Sequence, residues 1–536
     1  MKVERDAPTA TSGDGDGAAR LRDSSTGTSS TWLRLLPFIV GGLLLLAVVF
    51  RFVTTSDLWL DEALSVNISK LPLNHLHQAL KEDGAPPLYY LLLHFWMKVF
   101  GSGDLAVRSL SGVIGLLTLP ASWLCGRRLA RNDDERRWLP WATVLVVGFS
   151  PYAIRYATET RMYGLEILLV LLGYLALRAA LDRPRAGNLV ALALITGLLL
   201  YTQYWALYLL AVVGALLVGF ALWSDRRRQA RAALAALVVG GLTFVPWLPT
   251  FLYQAKHTGT PWGRPVAPPT GVAFTFLDFA GSNRTEGWML VLPLIVLALL
   301  AVFARAADDN HIDLDVRTRP GVRWEALVLT AGLVLGLAAS FVARSAFQPR
   351  YASIVFGLFA LVVAFGTLAF ARPVLRVGAL ALVIVLGLVG GVRNVVTNRT
   401  QASQSTKIIA ARAQPGDVVM YCPDQVGPDA SRLLPSRLHL DQVVFPTMAF
   451  PDRVNWIDYK KRNEAADVNA FAKQLLQRAG NRTIWYVYSA NYLTFGTKCD
   501  DLITVLAQSR PVQRLVAPDD VNYFEYMGLV QFPARP

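Results

Sequence analysis

The sequence predicts an α-helical polytopic membrane protein of about eleven transmembrane helices, with a small α/β domain at its C-terminal end. Three observations predict it. Of 536 residues, 54% are hydrophobic and only 17% charged, with a mean hydropathy of +0.38; a soluble chain carries about 25% charged residues. The apolar residues fall in stretches close to the roughly 20 residues that a helix needs to cross a bilayer. The arginines stand in short clusters between those stretches, which is the positive-inside pattern.

Spans are expected near 33–53, 107–126, 138–156, 162–180, 187–202, 205–223, 232–251, 286–304, 324–343, 352–371 and 375–392. Five basic clusters test the count: Arg127, Arg128, Arg131, Arg136 and Arg137; Arg183 and Arg185; Arg226, Arg227, Arg228 and Arg231; Arg305, Arg317, Arg319 and Arg323; Arg372 and Arg376. With a cytoplasmic N-terminus and eleven spans, every cluster falls on the cytoplasmic side and the C-terminal domain lies outside. The apolar segment 86–101 would invert this count if it crossed. It is short, opens with two prolines and carries His94 and Lys98, so it is expected as an interfacial helix on the outer leaflet. The stretch 187–223, flanked by arginines, must cross out and back, turning near Thr202-Gln203-Tyr204.

Residues 1–31 are polar and read as a disordered cytoplasmic tail; 32–393 read as the transmembrane domain, with large outer loops at 54–106 and 252–285. Residues 394–536 read as an extracytoplasmic domain. In it GDVVMYCP and TIWYVYSA look like buried strands, and DVNAFAKQLLQRAG looks like an amphipathic helix. Cys422 and Cys499 both fall there, where oxidation is possible, and are expected to pair; Cys125 lies at the cytoplasmic end of the second span. No cysteine–histidine grouping suggests a zinc site, and no glycine-rich phosphate loop appears. No metal or other cofactor is expected. The net charge of +14 does not imply nucleic acid, because the basic residues are spread over membrane-flanking loops instead of one face.

Four places could carry chemistry. SDLWLDEALS, just after the first span, holds Asp61 and Glu62, with Asp57 four residues earlier, one turn of a helix. Such acids serve as a helix start, or as a general base taking the proton of an attacking hydroxyl. SPYAIRYATETRMYGLE, between spans three and four, places Arg155, Glu159, Arg161, Tyr163 and Glu166 near the outer surface. Charges there are costly and need a partner or a ligand; a local Glu159–arginine pair and an anionic ligand on Arg161 both satisfy them. FQPRYAS brings Arg350 and Tyr351 to another outer turn, near Arg344. Guanidinium groups suit phosphate because their fork donates two parallel hydrogen bonds, whether to bulk phospholipid or to a specific lipid headgroup. YTQYWALYLL offers Gln203 and Tyr204, as interfacial anchors or as sugar contacts. His75 and His77 are expected in a solvated loop.

In this order and topology, the acidic pair, PPLYYLLLHFW, RSLSGVIGLLTLPASWLCGRRL, SPYAIRYATETRMYGL, YTQYWALYLL and FQPRY resemble the GT-C superfamily of membrane glycosyltransferases. The likeness is to the branch of the protein O-mannosyltransferases and the lipid A aminoarabinose transferase, over about residues 33–392. The resemblance implies a polyprenyl-phosphate sugar donor of mannose or arabinose type, an extracytoplasmic active site, and inversion at the anomeric carbon. It implies Asp61 as the base, Glu62 beside it orienting the loop or acceptor, and Glu159, Arg161, Tyr163 and Arg350 as donor-binding residues. Relatives carry His where this chain has Gln203, which removes a proton-transfer role there. The acceptor is an unspecified glycan, lipid or protein of the cell envelope. Two other functions fit a membrane chain: a transporter or flippase of lipid-linked sugars, and a non-catalytic envelope-assembly protein. Transporters gather polar residues at the membrane midplane within internal repeats, whereas here the polar residues collect at one end.

Overall fold

The computed structural model describes residues 28–282, 284–317, 321–490 and 492–534, with side chains from residue 38 onward. The expected tail, 1–31, lies outside the described residues up to residue 27; its last four residues open the first helix. Residues 1–46 form one compact unit and residues 47–536 another.

Helix α1 is Thr28–Val49. The expected first loop is itself helical: α2 Leu60–Ser69, α3 Leu73–Asp83 and α4 Leu88–Phe100. Then follow α5 Asp104–Leu129, α6 Asp133–Gly148, α7 Pro151–Ala157, α8 Tyr163–Asp182, α9 Ala186–Leu200, α10 Ala206–Trp223, α11 Arg227–Leu242, α12 Leu248–His257 and α13 Pro268–Phe279. Helices α14 (Thr285–Phe303) and α15 (Arg323–Val342) are joined by a hairpin of β1 Ala304–Ala306 and β2 Ile312–Leu314. α16 (Ser353–Gly366) and α17 (Pro373–Val396) complete the helical part.

A helix occupies each of the eleven expected segments. Eight helical stretches among the described residues are long and apolar enough to cross a membrane, and the chain is a multi-pass membrane protein. The boundaries differ where the sequence breaks the backbone ladder. The third expected span ran to residue 156, but α6 stops at Gly148. Ser150 Oγ there accepts from Ala153 N–H (3.3 Å) and Pro151, which has no N–H to give, starts α7. α4 has 13 residues, about 20 Å at 1.5 Å each, too short to cross. It buries Tyr89, Tyr90, Leu93 and His94 and leaves Phe95, Val99 and Phe100 exposed.

The turns carrying the five basic clusters meet at one end of the bundle. Arg128 and Arg226 both pair with Asp182, the latter at 3.7 Å. Arg178 reaches Glu325 at 3.3 Å, Arg376 reaches Asp134 at 2.7 Å, and Arg131 donates to Gly321 O at 3.1 Å. The alternation of turns inferred from charge therefore has a physical counterpart in ion pairs between non-adjacent loops.

The C-terminal part adds α18 Ala402–Arg412, β3 Val418–Cys422, α19 Gly427–Leu433, β4 Asp441–Val444, α20 Tyr459–Glu464, α21 Val468–Ala479, β5 Ile484–Tyr488, α22 Lys498–Ala507, β6 Gln513–Val516 and β7 Gly528–Phe532. The sheet order is β4-β3-β5-β7-β6, with β3 parallel to β4 and β5, and β7 antiparallel to β5 and β6. Side chains alternate across it. Val418, Met420 and Cys422 face α20, α21 and α22, while Val419 and Tyr421 face α18 and α19. Asp467 caps α21 by accepting from Asn469 and Ala470 N–H at 2.8 and 3.0 Å. Cys422 and Cys499 are joined as a disulfide, Cα atoms 5.6 Å apart, and Cys125 is a buried free thiol. Leu64, from α2 of the helical part, belongs to the apolar core on the first face of this sheet. The two parts share an interior, and residues 47–536 do not divide between them.

Single cysteines at Asn132 and Lys460 should label from opposite sides of sealed vesicles with a membrane-impermeant thiol reagent. Labelling of both from one side would contradict an odd number of crossings between them.

Candidate active site

At the end of the bundle opposite the basic turns, α2 meets the α7–α8 turn, the short 3-10 turn Pro349–Ala352 and the strand-like segment after α17. Arg51 fixes the approach. Its buried guanidinium donates to four backbone carbonyls, those of Ala47, Gly115, Val147 and Gly148, at 2.6–3.2 Å. The chain then runs without helix through 53–59. α2 begins at Leu60, with Asp61 and Glu62 in its first turn, where carboxylates are favoured by the helix dipole. Asp57 is therefore not one helical turn from Asp61, as its spacing suggested. It lies in the extended stretch, and its contribution is a backbone carbonyl accepting from Arg108 Nη2 at 3.0 Å.

Glu62 is fully buried. Arg108 binds it with two parallel hydrogen bonds, Nε to Oε1 at 2.8 Å and Nη2 to Oε2 at 2.6 Å. Thr160 N–H donates to Oε1 at 2.8 Å, and Arg399 Nη1 stands 3.9 Å from Oε2. Burial alone would raise this carboxyl; Arg108 first, then Arg399 and the Thr160 amide, outweigh that and hold it below its ordinary value. Glu62 thus ties α2 to α5, to the α7–α8 turn and to the segment after α17.

Asp61 points the other way. Its Oδ2 lies 3.2 Å from Arg350 Nη1 and 3.9 Å from Arg161 Nη2. Arg161 Nη1 also reaches Ser65 Oγ at 3.2 Å and Tyr90 Oη at 3.3 Å. The Nε–H groups of both arginines are buried without an acceptor among the described residues, as is the Trp59 indole N–H. Arg350 is framed by aromatic rings, its guanidinium carbon 5.4 Å from Trp59, 5.9 Å from Trp262 and 6.0 Å from Tyr351.

Glu159 Oε2 pairs with Arg399 at 3.1 Å and Arg155 at 3.6 Å, while its Oε1 has no hydrogen-bond partner among the described residues. Arg155 continues to Asp278 of α13 at 3.5 Å. Asp83, at the end of α3, accepts from Tyr90 Oη–H at 2.7 Å. Burial pushes Asp83, Glu159 and Asp278 up from their ordinary values, against the pull of nearby arginines. Five carboxyl groups (Asp61, Glu62, Asp83, Glu159, Asp278) here face five guanidiniums (Arg108, Arg155, Arg161, Arg350, Arg399). The unaccepted Nε–H groups of Arg161 and Arg350 leave this set able to take an added anion.

The structure brings together Asp61, Glu62, Glu159, Arg161, Tyr163, Arg350 and Tyr351. Tyr163 lies with its ring 5.9 Å from the Arg161 guanidinium. It does not bring Gln203 or Tyr204 into this network. Gln203 Oε1 accepts from Trp205 N–H and so caps the start of α10. Tyr204 Oη donates to Gln254 and accepts from Trp247 Nε1 at 3.0 Å. His77 lies on α3, not in a loop, and its Nε2 meets Thr250 Oγ1 at 2.9 Å. These side chains brace α3, α10 and α12 against one another. Sequence reasoning missed Arg108, Arg399, Asp278, Asp83 and Tyr90. Arg108 carried a signal, an arginine at the end of a span away from the basic turns, like Arg161. Arg399 carried none, because it sits in a polar tail where an arginine is unremarked. Among the described residues, no three His, Cys, Asp or Glu side chains gather to hold a metal ion.

Residues 84–253 match the family model described as dolichyl-phosphate-mannose-protein mannosyltransferase. No curated protein matches the chain. The crystal structure of ArnT from Cupriavidus metallidurans in the apo state is similar at 15% identity and a TM-score of 0.55, covering 94% of this chain and 98% of that one. The same protein bound to undecaprenyl phosphate is similar at 15% identity and a TM-score of 0.52, with the same coverage. The oligosaccharyltransferase of Archaeoglobus fulgidus, tethered with an acceptor peptide, aligns at 11% identity and a TM-score of 0.47, over 92% of this chain and 74% of that one.

Glu62→Gln should cost about 3–5 kcal/mol of stability, because it leaves Arg108 and Arg399 buried without their full counter-charge. A large fall in melting temperature in detergent, with a smaller fall for Asp61→Asn, is the expected result.

Proposed function

We propose that this chain, which carries the fold of the GT-C superfamily of membrane glycosyltransferases, moves a sugar of mannose or arabinose type from a polyprenyl-phosphate donor to an extracytoplasmic acceptor. The observation that carries the reading is the Asp61 carboxylate held between Arg161 and Arg350, each with a buried N–H still free to donate. A phosphate fits that pair of forks better than a single carboxylate oxygen does. On donor binding the phosphate takes over Arg161 and Arg350, and Asp61 is released to face the acceptor hydroxyl.

The acceptor hydroxyl then attacks that carbon from the face opposite the phosphate. Its proton passes to Asp61, a new bond forms from acceptor oxygen to carbon, and the carbon–oxygen bond to phosphate breaks with its electron pair on the phosphate. The configuration inverts. The leaving lipid phosphate keeps its charge on Arg161 and Arg350, which stabilise it as it develops. Glu62 does not react; it fixes α2 so that Asp61 is aimed. The family match over residues 84–253 supports a glycosyl transfer of this kind, and the undecaprenyl phosphate of the ArnT complex supports a lipid-phosphate carrier. The site end of the bundle faces the outside of the cell, and the N-terminus the cytoplasm, if the basic turns obey the positive-inside bias.

Purified protein in nanodiscs, given a synthetic polyprenyl-phosphate sugar and cell-envelope acceptor fractions, tests the reading. Asp61→Asn should turn over about 10²–10⁴-fold more slowly and bind donor as well as or better than the wild type, because it removes the anion competing for both arginines. Arg161→Ala and Arg350→Ala should weaken donor binding, with Lys restoring it only in part. Wild-type turnover in Asp61→Asn would move the base elsewhere, and unchanged donor affinity in both alanine variants would remove the phosphate role.

A further inference from the structure

We infer that Glu525, from the C-terminal sheet domain, is a positioning residue for the helix that carries Asp61. The inference rests on the proposed transfer. The first N–H groups of a helix lack partners and need caps. Trp59, at the cap position of α2, supplies no side-chain acceptor. The Glu525 carboxylate supplies it instead, its oxygens 3.1 and 3.3 Å from Leu60 N–H. The residue after Leu60 is Asp61. An acceptor 465 positions away in the chain therefore fixes the start of the helix on which the proposed base stands.

Glu525 is itself held firmly. Its N–H donates to Arg399 O at 2.9 Å, and Gln401 N–H donates to its O at 3.0 Å. Gln401 Oε1 accepts from Asp519 and Met527 N–H, both at 3.0 Å. The strap 519–527 is thus clamped to the segment that sends Arg399 to Glu159 and Glu62. Beside Glu525, Phe524 packs edge-to-face with Trp59, centroids 5.5 Å apart, and Trp59 is one of the three aromatic rings around Arg350. From below, Leu64 of α2 is buried in the sheet's core. The strap touches α2, the indole beside it and the Arg399 segment, so a shift of the strap reaches Asp61 by three routes.

The carboxyl of Glu525 lies beside that of Asp429 at the start of α19, and Thr400 Oγ1 donates to Asp429 Oδ2 at 2.7 Å. The groups facing Glu525 are Asp429 on α19, the Thr400 hydroxyl, the Leu60 N–H of α2 and the Tyr492 hydroxyl. Burial first, then the Asp429 charge, push Glu525 well up, and burial pushes Asp429 up to about 6. Two buried carboxyls side by side cannot both ionise cheaply.

The test uses the full chain in nanodiscs, with Glu525→Ala, Glu525→Gln and the wild type compared per folded molecule. Glu525→Ala should lower kcat about 10–100-fold, leave the affinity for the polyprenyl-phosphate sugar unchanged, and speed hydrogen exchange at the amides of α2. Glu525→Gln keeps an oxygen for Leu60 N–H and can donate its amide to Asp429. It should restore most of kcat. If Glu525→Ala matches the wild type in kcat and in α2 exchange, the inference is overturned. A fall in melting temperature alone, with kcat per folded molecule unchanged, overturns it too. Hydrogen exchange needs no transfer, so should the proposed transfer fail, α2 amides as protected in Glu525→Ala as in the wild type would still sink the positioning role, and faster exchange would still support it.

Discussion

The buried carboxylate of Glu62 is the constraint on which the rest of the site depends. A charge with no exposure survives only if partners replace the water it has lost. Arg108, Arg399 and the Thr160 amide do so, and each belongs to a different part of the chain. Satisfying one carboxylate therefore brings α5, the α7–α8 turn and the post-α17 segment to the first turn of α2. Once they are there, neighbouring residues have little freedom. Glu159 must share Arg399 with Glu62, and Arg161, two residues beyond Glu159, must lie beside Asp61. The opposite turn contributes Arg350 because Asp61, exposed by only 14%, also needs a counter-charge.

Much of this was legible in the sequence because membranes make charge placement costly. The arginine clusters gave the order of turns, and the ion pairs from Arg128 and Arg226 to Asp182 and from Arg376 to Asp134 hold those turns at one end. The acids after the first span and the arginines at the other end stood out for the same reason. What was not legible depended on tertiary partners. Asp57 and Asp61 have helical spacing, yet the helix starts at Leu60, whose N–H is accepted by Glu525, far along the chain. Gln203 and Tyr204 look like ligand-binding residues in an aromatic turn, but Trp205 N–H and Gln254 claim them. Arg399 sits in a segment whose composition gives no sign that it turns back into the bundle.

The sheet domain follows the same logic. Read by composition it is a soluble appendage after the last span. Its core nevertheless contains Leu64, its strap caps α2, and the segment leading into it supplies Arg399. Loops over a membrane surface are usually the least constrained parts of a membrane protein. Here the loop helix α2 lies between two packed bodies and is fixed from both, by Glu62 toward the bundle and by Leu60 and Leu64 toward the sheet.

That fixation matters for the proposed chemistry because Asp61 has two tasks that conflict. A base must be a free carboxylate facing the acceptor, yet without donor it is the counter-ion of Arg161 and Arg350. A mobile Asp61 would stay with the arginines and compete with the incoming phosphate. A rigid α2 limits how closely the carboxylate can follow them: Oδ2 reaches Arg350 at 3.2 Å but Arg161 only at 3.9 Å, and neither arginine closes a two-pronged bond on it. The pairing is good enough to keep three charges buried and poor enough for a phosphate to displace. In the proposed transfer the donor therefore completes the site twice over, by neutralising the arginines and by freeing the base. An acceptor arriving first would meet a carboxylate already engaged, which favours donor binding before acceptor binding.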